Sequence, residues 1–199
     1  HYPLRRQRQM CIRDSLSCAN ESDAGDLVDV EDISIITGPP GLPAQRNRGL
    51  NALPADIDVV VFFDDDFVAE AGWLASAAEA FRDFSDVASF TGHVLADDVK
   101  GPGLTFEEAK QIIAKAGPIR SRPWIEPYSP YGCNMAFRVS AIRHSRFDER
   151  LPLYGWLEDR DFGGGILRQG GRLVKSAEAR GVHMGCLLYT SDAADEEDS

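Results

Sequence analysis

The 199-residue sequence is short of basic residues, with 21 Lys and Arg against 32 Asp and Glu and a net charge of −11. A protein that follows a phosphate backbone needs a basic face, so this balance argues against nucleic acid as a partner. No apolar run approaches the roughly 20 residues of a membrane-spanning helix, so no span is expected. There is no Cys-x-x-Cys pair, no internal repeat and no low-complexity tract in the body of the chain. The absence of a paired cysteine framework points to a reducing compartment. The expected location is cytoplasmic, with a peripheral position at the inner face of a membrane also compatible.

Both ends read differently from the middle. Arg5 to Ser15, RRQRQMCIRDS, resembles the in-frame translation of a sequencing-library adapter, and Cys186 to Glu196, CLLYTSDAADE, resembles the same adapter from the other strand. Such scars are set aside before fold reasoning. The expected organisation is a tail over 1–15, one catalytic domain fragment over 16–185, and a second tail over 186–199. The tails carry four arginines and six acids, so the segment between them has a net charge of −9. Cys18 and Cys133 are the cysteines it retains. About 170 residues suffice for one domain with a sizeable core.

Strands and helices alternate along this segment. Ile33 to Thr37 predicts a strand, and Leu42 to Leu53 a helix with Pro43 in its first turn. Ile57 to Phe63 lacks alternation, as expected of a central parallel strand covered on both faces. Ala71 to Phe84 predicts an amphipathic helix with Trp73, Leu74, Ala77, Ala78 and Phe81 on its apolar side. Val87 to Leu95 predicts a strand, and Thr105 to Ala116 a helix opened by a capping box of Thr105 and Glu108. Gly117 to Pro130 holds four prolines and no periodicity, and is expected to be a mobile lid on the acceptor side of a site. A strand over Cys133–Val139, a helix over Arg160–Gln169 and a strand over Arg172–Ala177 complete the pattern. The fold class expected is α/β, with a mostly parallel sheet and helices on both faces.

The chemistry begins at VVVFFDDDF, Val59 to Phe67, where five apolar residues run into three carboxylates. Adjacent like charges repel, and the cluster calls for a positive partner. At the carboxyl end of a strand, where α/β sheets bind ligands, hard carboxylate oxygens suit Mg²⁺ or Mn²⁺. The reading without function is a solvated strand end. Glu158 and Asp159 open the helix after Gly155 and Trp156, where acids are favoured by the helix dipole alone. His183 follows the last strand; a lone histidine is more often structural. Arg46 and Asn47 lie at the start of a predicted helix, where an arginine can grip a diphosphate.

The order of these pieces resembles the family-2 glycosyltransferases: Gly-x4-Arg46-Asn47-x-Gly49, Asp64-Asp65-Asp66, Gly132-Cys-Asn134-Met-Ala-Phe-Arg138, Phe147-Asp-Glu149, Glu158-Asp159 and His183. The resemblance covers about Asp29 to Gly185. It implies a GT-A fold holding a nucleoside-diphosphate (NDP) sugar and a divalent metal, Mg²⁺ or Mn²⁺. The activity implied is metal-dependent, inverting transfer of a hexosyl-type sugar to an acceptor hydroxyl on a carbohydrate or lipid-linked partner. Asp64 and Asp66 match the family's DxD metal motif, and Asp64 and Asp65 fall at its donor-contacting positions. Asp159, supported by Glu158, matches the catalytic base. His183 matches a further metal ligand, Asn134 a position lining the donor sugar, and Arg46–Asn47 the diphosphate side. Trp156, next to the proposed base, is a candidate to stack on an acceptor sugar, with a core or rim tryptophan as the equal alternative.

The sequence departs from the family ahead of Asp29, where nothing resembles the strand unit that reads the nucleotide base. The expectation is that this unit is missing and that the segment alone lacks transfer activity. Two rivals share the metal logic. A nucleotidyltransferase needs a glycine-rich basic signature near its start, and a receiver-like signalling domain needs a Ser/Thr and a Lys at later strand ends. A catalytically silent sugar-nucleotide-binding domain is the third alternative; retention of both acid clusters speaks against it.

Overall fold

The computed structural model describes residues 12–118, 123–151 and 155–185. The segments 1–11 and 186–199, most of the two expected tails, lie outside the described residues, as do 119–122 of the expected lid. The chain divides into two units. One runs through Ile57 and adds Arg146–Glu158; the other comprises Asp58–Ser145 and the chain from Asp159.

In the first unit, β1 (Asp14–Cys18) and β2 (Ile33–Thr37) pair in parallel, connected through a 3-10 helix over Glu21–Asp29. β2 has the bounds predicted for it. β1 stands ahead of Asp29, where the sequence signals no strand, and its first two residues fall within the expected tail over 1–15. Its sequence, DSLSC, offers a single aliphatic residue, so its extended state comes from pairing with β2 rather than from propensity. Helix α1 (Leu42–Asn51) begins with Pro43 in its first turn, where a missing N–H costs nothing. The Ser17 hydroxyl donates to the Gln45 carbonyl (2.8 Å) and the Gln45 amide donates back to the Ser17 carbonyl (3.2 Å), which ties α1 to β1.

The second unit is built on five strands in the order β3-β6-β5-β7-β4. These are β3 (Val59–Phe63), β4 (Phe67–Ala69), β5 (Val87–Asp97), β6 (Asn134–Arg138) and β7 (Arg172–His183). The expected mostly parallel sheet is corrected: only β5 and β7 run parallel, and the other three pairings are antiparallel. Strand–helix alternation favours parallel crossovers. Here β6 returns between β3 and β5 in the opposite sense, and three-residue β4 is too short to leave a sequence signal. β3 lies at the end of the order, not at its centre, and only Val60 of it is buried.

The core gathers around β5, β6 and β7, with Phe90, Met135, Phe137, Leu173 and Val174 sealed from solvent. Helix α2 (Trp73–Asp83) packs on β5 and β7 through Trp73, Ala77, Ala80 and Phe81, at the i, i+4, i+7, i+8 spacing of one helical face. Leu74 and Ala78, expected on that face, are exposed. Burying side chains the size of Phe81 is worth about 1.5–3 kcal/mol each. Helix α3 (Phe106–Lys115) carries the predicted capping box, Thr105 Oγ1 accepting from Glu108 N and Glu108 accepting from Thr105 N.

The described part of the expected lid is fastened down. Ile125 and Lys175 exchange two backbone hydrogen bonds, and Tyr128 N donates to the Leu173 carbonyl at 3.1 Å. A short helix, α4 (Val139–Ile142), follows β6, and α5 spans Glu158–Arg168. In α5 a Cβ on Gly163 would stand 2.3 Å from Pro130 Cδ, so this glycine is required by close packing. Nothing in the structure explains Gly164 or Gly165.

Candidate functional site

The three acids of VVVFFDDDF form a turn between β3 and β4, closed by Phe67 N donating to the Asp64 carbonyl at 3.0 Å. The flanking phenylalanines hold it: Phe63 and Phe67 stack at 5.5 Å, and Phe63 meets Trp73 edge-on at 4.7 Å. The acids therefore project from a turn whose two ends rest on the aromatic core. Asp64 and Asp66 are half-buried and Asp65 is exposed.

What stands opposite the acids is His183. One ligand atom from each of Asp64, Asp66 and His183 lies within 4.8 Å of the others, and His183 Nε2 is 3.2 Å from Asp66 Oδ1. The sheet dictates this meeting. His183 ends β7, its register partner on β4 is Phe67, and Met184 N donates to the Asp66 carbonyl at 2.9 Å. On its other side β7 runs parallel to β5, where His183 is the register partner of Asp97. Asp97 Oδ1 lies 3.0 Å from His183 Nδ1, and the Tyr131 hydroxyl donates to Asp97 Oδ2. Burial disfavours charge on His183, but the hydrogen bond and charge of Asp66, followed by those of Asp97, outweigh it and raise its pKa above the ordinary value. Burial, reinforced by the bond to Asp97, also raises the Tyr131 pKa, which keeps that hydroxyl protonated as a donor.

The tripeptide Tyr131–Cys133 makes contacts to Asp97, Asp159 and the backbone of Asp64. The Tyr131 side chain reaches Asp97, Gly132 N donates to Asp159 Oδ2 at 2.8 Å, and Asp64 N donates to the Cys133 carbonyl at 3.3 Å. Asp159 is half-buried in the first turn of α5 and its other oxygen accepts from Arg160 N at 2.6 Å. Asp97 and Tyr131 were not candidates in the sequence. The available signal was an acid at the end of a strand, Asp97, but its significance depends on the β5–β7 register.

Several expected roles find other surroundings. Asn134, expected to line a donor sugar, has no solvent-accessible surface and lies inside the sheet. Its Oδ1 and Trp73 Nε1 face Gly92, where a Cβ would lie 2.5 Å and 2.3 Å from them. Cys133 is buried beside it, and burial above all pushes its thiol up to about 12. In the first unit, Arg46 is buried and ion-paired with the buried Glu158, and its guanidinium lies 5.6 Å from the Phe147 ring centroid. Asn47 accepts from Phe147 N (2.9 Å) and donates to the Phe147 carbonyl (2.9 Å) and Glu149 Oε1 (2.8 Å). Arg46 and Asn47 thus clamp Phe147, Glu149 and Glu158 within their own unit. Glu158 is this arginine's partner, and Trp156 is 66% exposed.

No protein-family model matches the sequence, and no curated protein matches it. Solved structures do match. GalNAc-T7, crystallised with UDP, GalNAc and Mn²⁺, superposes with a TM-score of 0.59 at 14% identity, over 91% of this chain and 39% of its own. Residues 1–349 of S. aureus TarS give 0.53 at 16% identity, over 84% of this chain and 50% of that one. A197 from STIV gives 0.50 at 13% identity, over 88% and 87%. The fold is similar to that of the GT-A glycosyltransferases. This chain spans half or less of the GalNAc-T7 and TarS chains. No helix among the described residues is long and apolar enough to cross a membrane.

Two carboxylates and an imidazole within reach of one point are a fitting donor set for a divalent cation such as Mn²⁺, which accepts both oxygen and histidine nitrogen. The half-buried setting, braced by backbone hydrogen bonds on both sides of the turn, holds the donors together before any ion arrives.

Proposed function

We propose that this chain is the sugar-nucleotide part of a metal-dependent glycosyltransferase that moves a sugar from an NDP-sugar to an acceptor hydroxyl. The observation that carries the reading is the Asp64–Asp66–His183 cluster at the strand ends of a fold similar to GT-A enzymes. In this reading those three residues hold Mg²⁺ or Mn²⁺ on the donor diphosphate. When bound, the cation supplies Lewis-acid stabilisation of the charge that grows on the departing diphosphate. UDP is the first nucleotide to try, because GalNAc-T7 was crystallised with UDP and Mn²⁺.

Asp159 takes the role of general base. Gly132 N–H fixes one of its oxygens, and the carboxylate stays partly open to solvent. It accepts the proton of the acceptor hydroxyl while the new C–O bond forms at the anomeric carbon. The bond to the diphosphate oxygen breaks with its electron pair leaving on the diphosphate. A single displacement of this kind inverts the anomeric centre. Asp65, exposed next to the cluster, is left for donor contacts. The acceptor in this reading is a carbohydrate or a lipid-linked saccharide.

Calorimetry with UDP in the presence and absence of Mn²⁺ tests the reading, alongside a transfer assay with a panel of UDP-sugars. Mn²⁺ should strengthen UDP binding; Asp66→Ala should remove that enhancement, and Asp159→Asn should keep it while losing transfer. UDP binding indifferent to Mn²⁺ would sink the proposal. Equal loss of UDP binding in both variants would make Asp159 a donor ligand instead of a base.

A further inference from the structure

His183 stands between two carboxylates, and its ring makes each contact with a different nitrogen. Nε2 faces Asp66 at 3.2 Å, on the side where Asp64 completes the donor cluster, and Nδ1 faces Asp97 at 3.0 Å. The two ring nitrogens point in opposite directions, so Asp97 cannot share the point that Asp64, Asp66 and Nε2 share. A neutral imidazole has one proton to place. If it sits on Nε2, it is donated to Asp66, that lone pair is lost to any cation, and Nδ1 faces the Asp97 oxygen with nothing to donate and only the longer contact to the Tyr131 hydroxyl (3.4 Å), which already donates to Asp97. On Nδ1, it is donated to Asp97 and Nε2 is left with its lone pair toward the acids. Asp97 is itself held: Tyr131 donates to its second oxygen, and its position beside His183 is set by the parallel β5–β7 register. The His183 carbonyl accepts from Asp98 N at 3.1 Å, which fixes the backbone on the same side.

We propose that Asp97, supported by Tyr131, is a positioning residue that fixes His183 in the Nδ1–H form and so presents Nε2 as a donor atom. The inference rests on the metal reading above for its purpose but not for its test. A carboxylate behind a ligating histidine sets both tautomer and ring orientation, and losing it costs about 10–100-fold in metal affinity.

The direct readout is the ¹⁵N chemical shifts of the His183 ring in metal-free protein at alkaline pH, where the ring is neutral, assigned by comparison with His183→Gln. The Nδ1–H form is expected in the unsubstituted protein, with a mixture or the Nε2–H form in Asp97→Ala. Asp97→Asn keeps an oxygen that accepts from Nδ1–H, and should retain the tautomer. Tyr131→Phe, the mildest change, should shift the mixture less than Asp97→Ala and serves if that variant fails to fold. Mn²⁺ affinity by electron paramagnetic resonance should follow the same order, falling about 10–100-fold in Asp97→Ala and less in Asp97→Asn. An Nε2–H ring in the unsubstituted protein, or a tautomer indifferent to Asp97→Ala, overturns the inference. Asp97→Asn losing as much Mn²⁺ affinity as Asp97→Ala with the tautomer intact also overturns it, by making Asp97 a direct ligand. If the unsubstituted protein binds no Mn²⁺ at all, the metal reading falls, and the ring shifts still decide what Asp97 does.

Discussion

Replacing Arg46 by methionine should destabilise the first unit more than any surface substitution. The side chains of Arg46 and Glu158 are 4% and 6% exposed, so their ion pair is almost dry. Removing one partner of such a pair leaves the other charge buried without it, at a cost of about 3–5 kcal/mol. Arg46 also lies over the Phe147 ring, a desolvated cation–π contact worth about 1–2 kcal/mol. Arg46→Met should therefore cost about 4–7 kcal/mol, a large share of the ~5–15 kcal/mol that holds a typical domain. Glu158→Met should cost less than Arg46→Met, since the arginine loses its glutamate but keeps its place near the ring. The double variant removes both charges and should recover most of the loss, because apolar replacements of a whole buried pair are often neutral. Urea denaturation of the four proteins, followed by circular dichroism, gives the coupling directly, with at least about 2 kcal/mol expected. Single variants within about 1 kcal/mol of the parent, or a double variant as damaged as the sum, would refute the argument that this pair is buried and mutually dependent.

Gly92→Ala should lower the melting temperature by several degrees, since its Cβ would meet Trp73 Nε1, Asn134 Oδ1 and the Ala179 carbonyl within 2.6 Å, an overpacking cost of about 1–3 kcal/mol; an unchanged melting point in a thermal scan would contradict the packing. The Cys133 thiol, sealed and pushed up to about 12, should ignore a thiol reagent at neutral pH until the protein is unfolded. In a Cys11→Ser, Cys186→Ser, Cys18→Ser background, fast labelling of the native protein would count against that burial. For His183 the folded-state pKa is raised, so its contribution to metal-free stability is complete below the unfolded value of about 6.5 and is lost as pH rises through the higher folded value. The stability difference between the unsubstituted protein and His183→Gln, from urea midpoints, should therefore shrink with rising pH across that window. A difference that is flat or grows would show that Asp66 and Asp97 do not favour the charged ring.

How much of this was written in the sequence depends on range. Thr105 with Glu108, and Ile33 to Thr37, were legible because their signals are local: a cap and a short β-rich run bounded by a turn. The acids of VVVFFDDDF were visible as a metal candidate because three like charges after an apolar run are chemically odd. Sheet direction was not legible, since an apolar strand looks alike whether its neighbour runs parallel or antiparallel. The buried partners of Arg46 and Asn47 were not legible for a related reason. An arginine at a helix start looks the same whether it faces a ligand or, as here, a glutamate 112 positions further on. Asn134 follows the segment that braces the acids, and Gly132, Cys133 and Asn134 are all buried, a run whose depth an unalternating sequence does not reveal.

The bulge in β5 has a consequence for how this protein can change length. The ladder with β7 skips a residue between Val94 and Ala96, and two positions later Asp97 falls opposite His183. Side chains alternate along a strand, so adding or removing a single residue between Thr91 and Asp97 would turn the carboxylate to the other side of the sheet. No atom of His183, Asp66 or Asp64 would be altered, yet the imidazole would lose the oxygen that faces Nδ1. Insertions and deletions in this stretch are thus substitutions of the histidine's environment by another route, and a descendant of this sequence could keep every acid of the turn and still lose the arrangement through an in-frame change of three nucleotides.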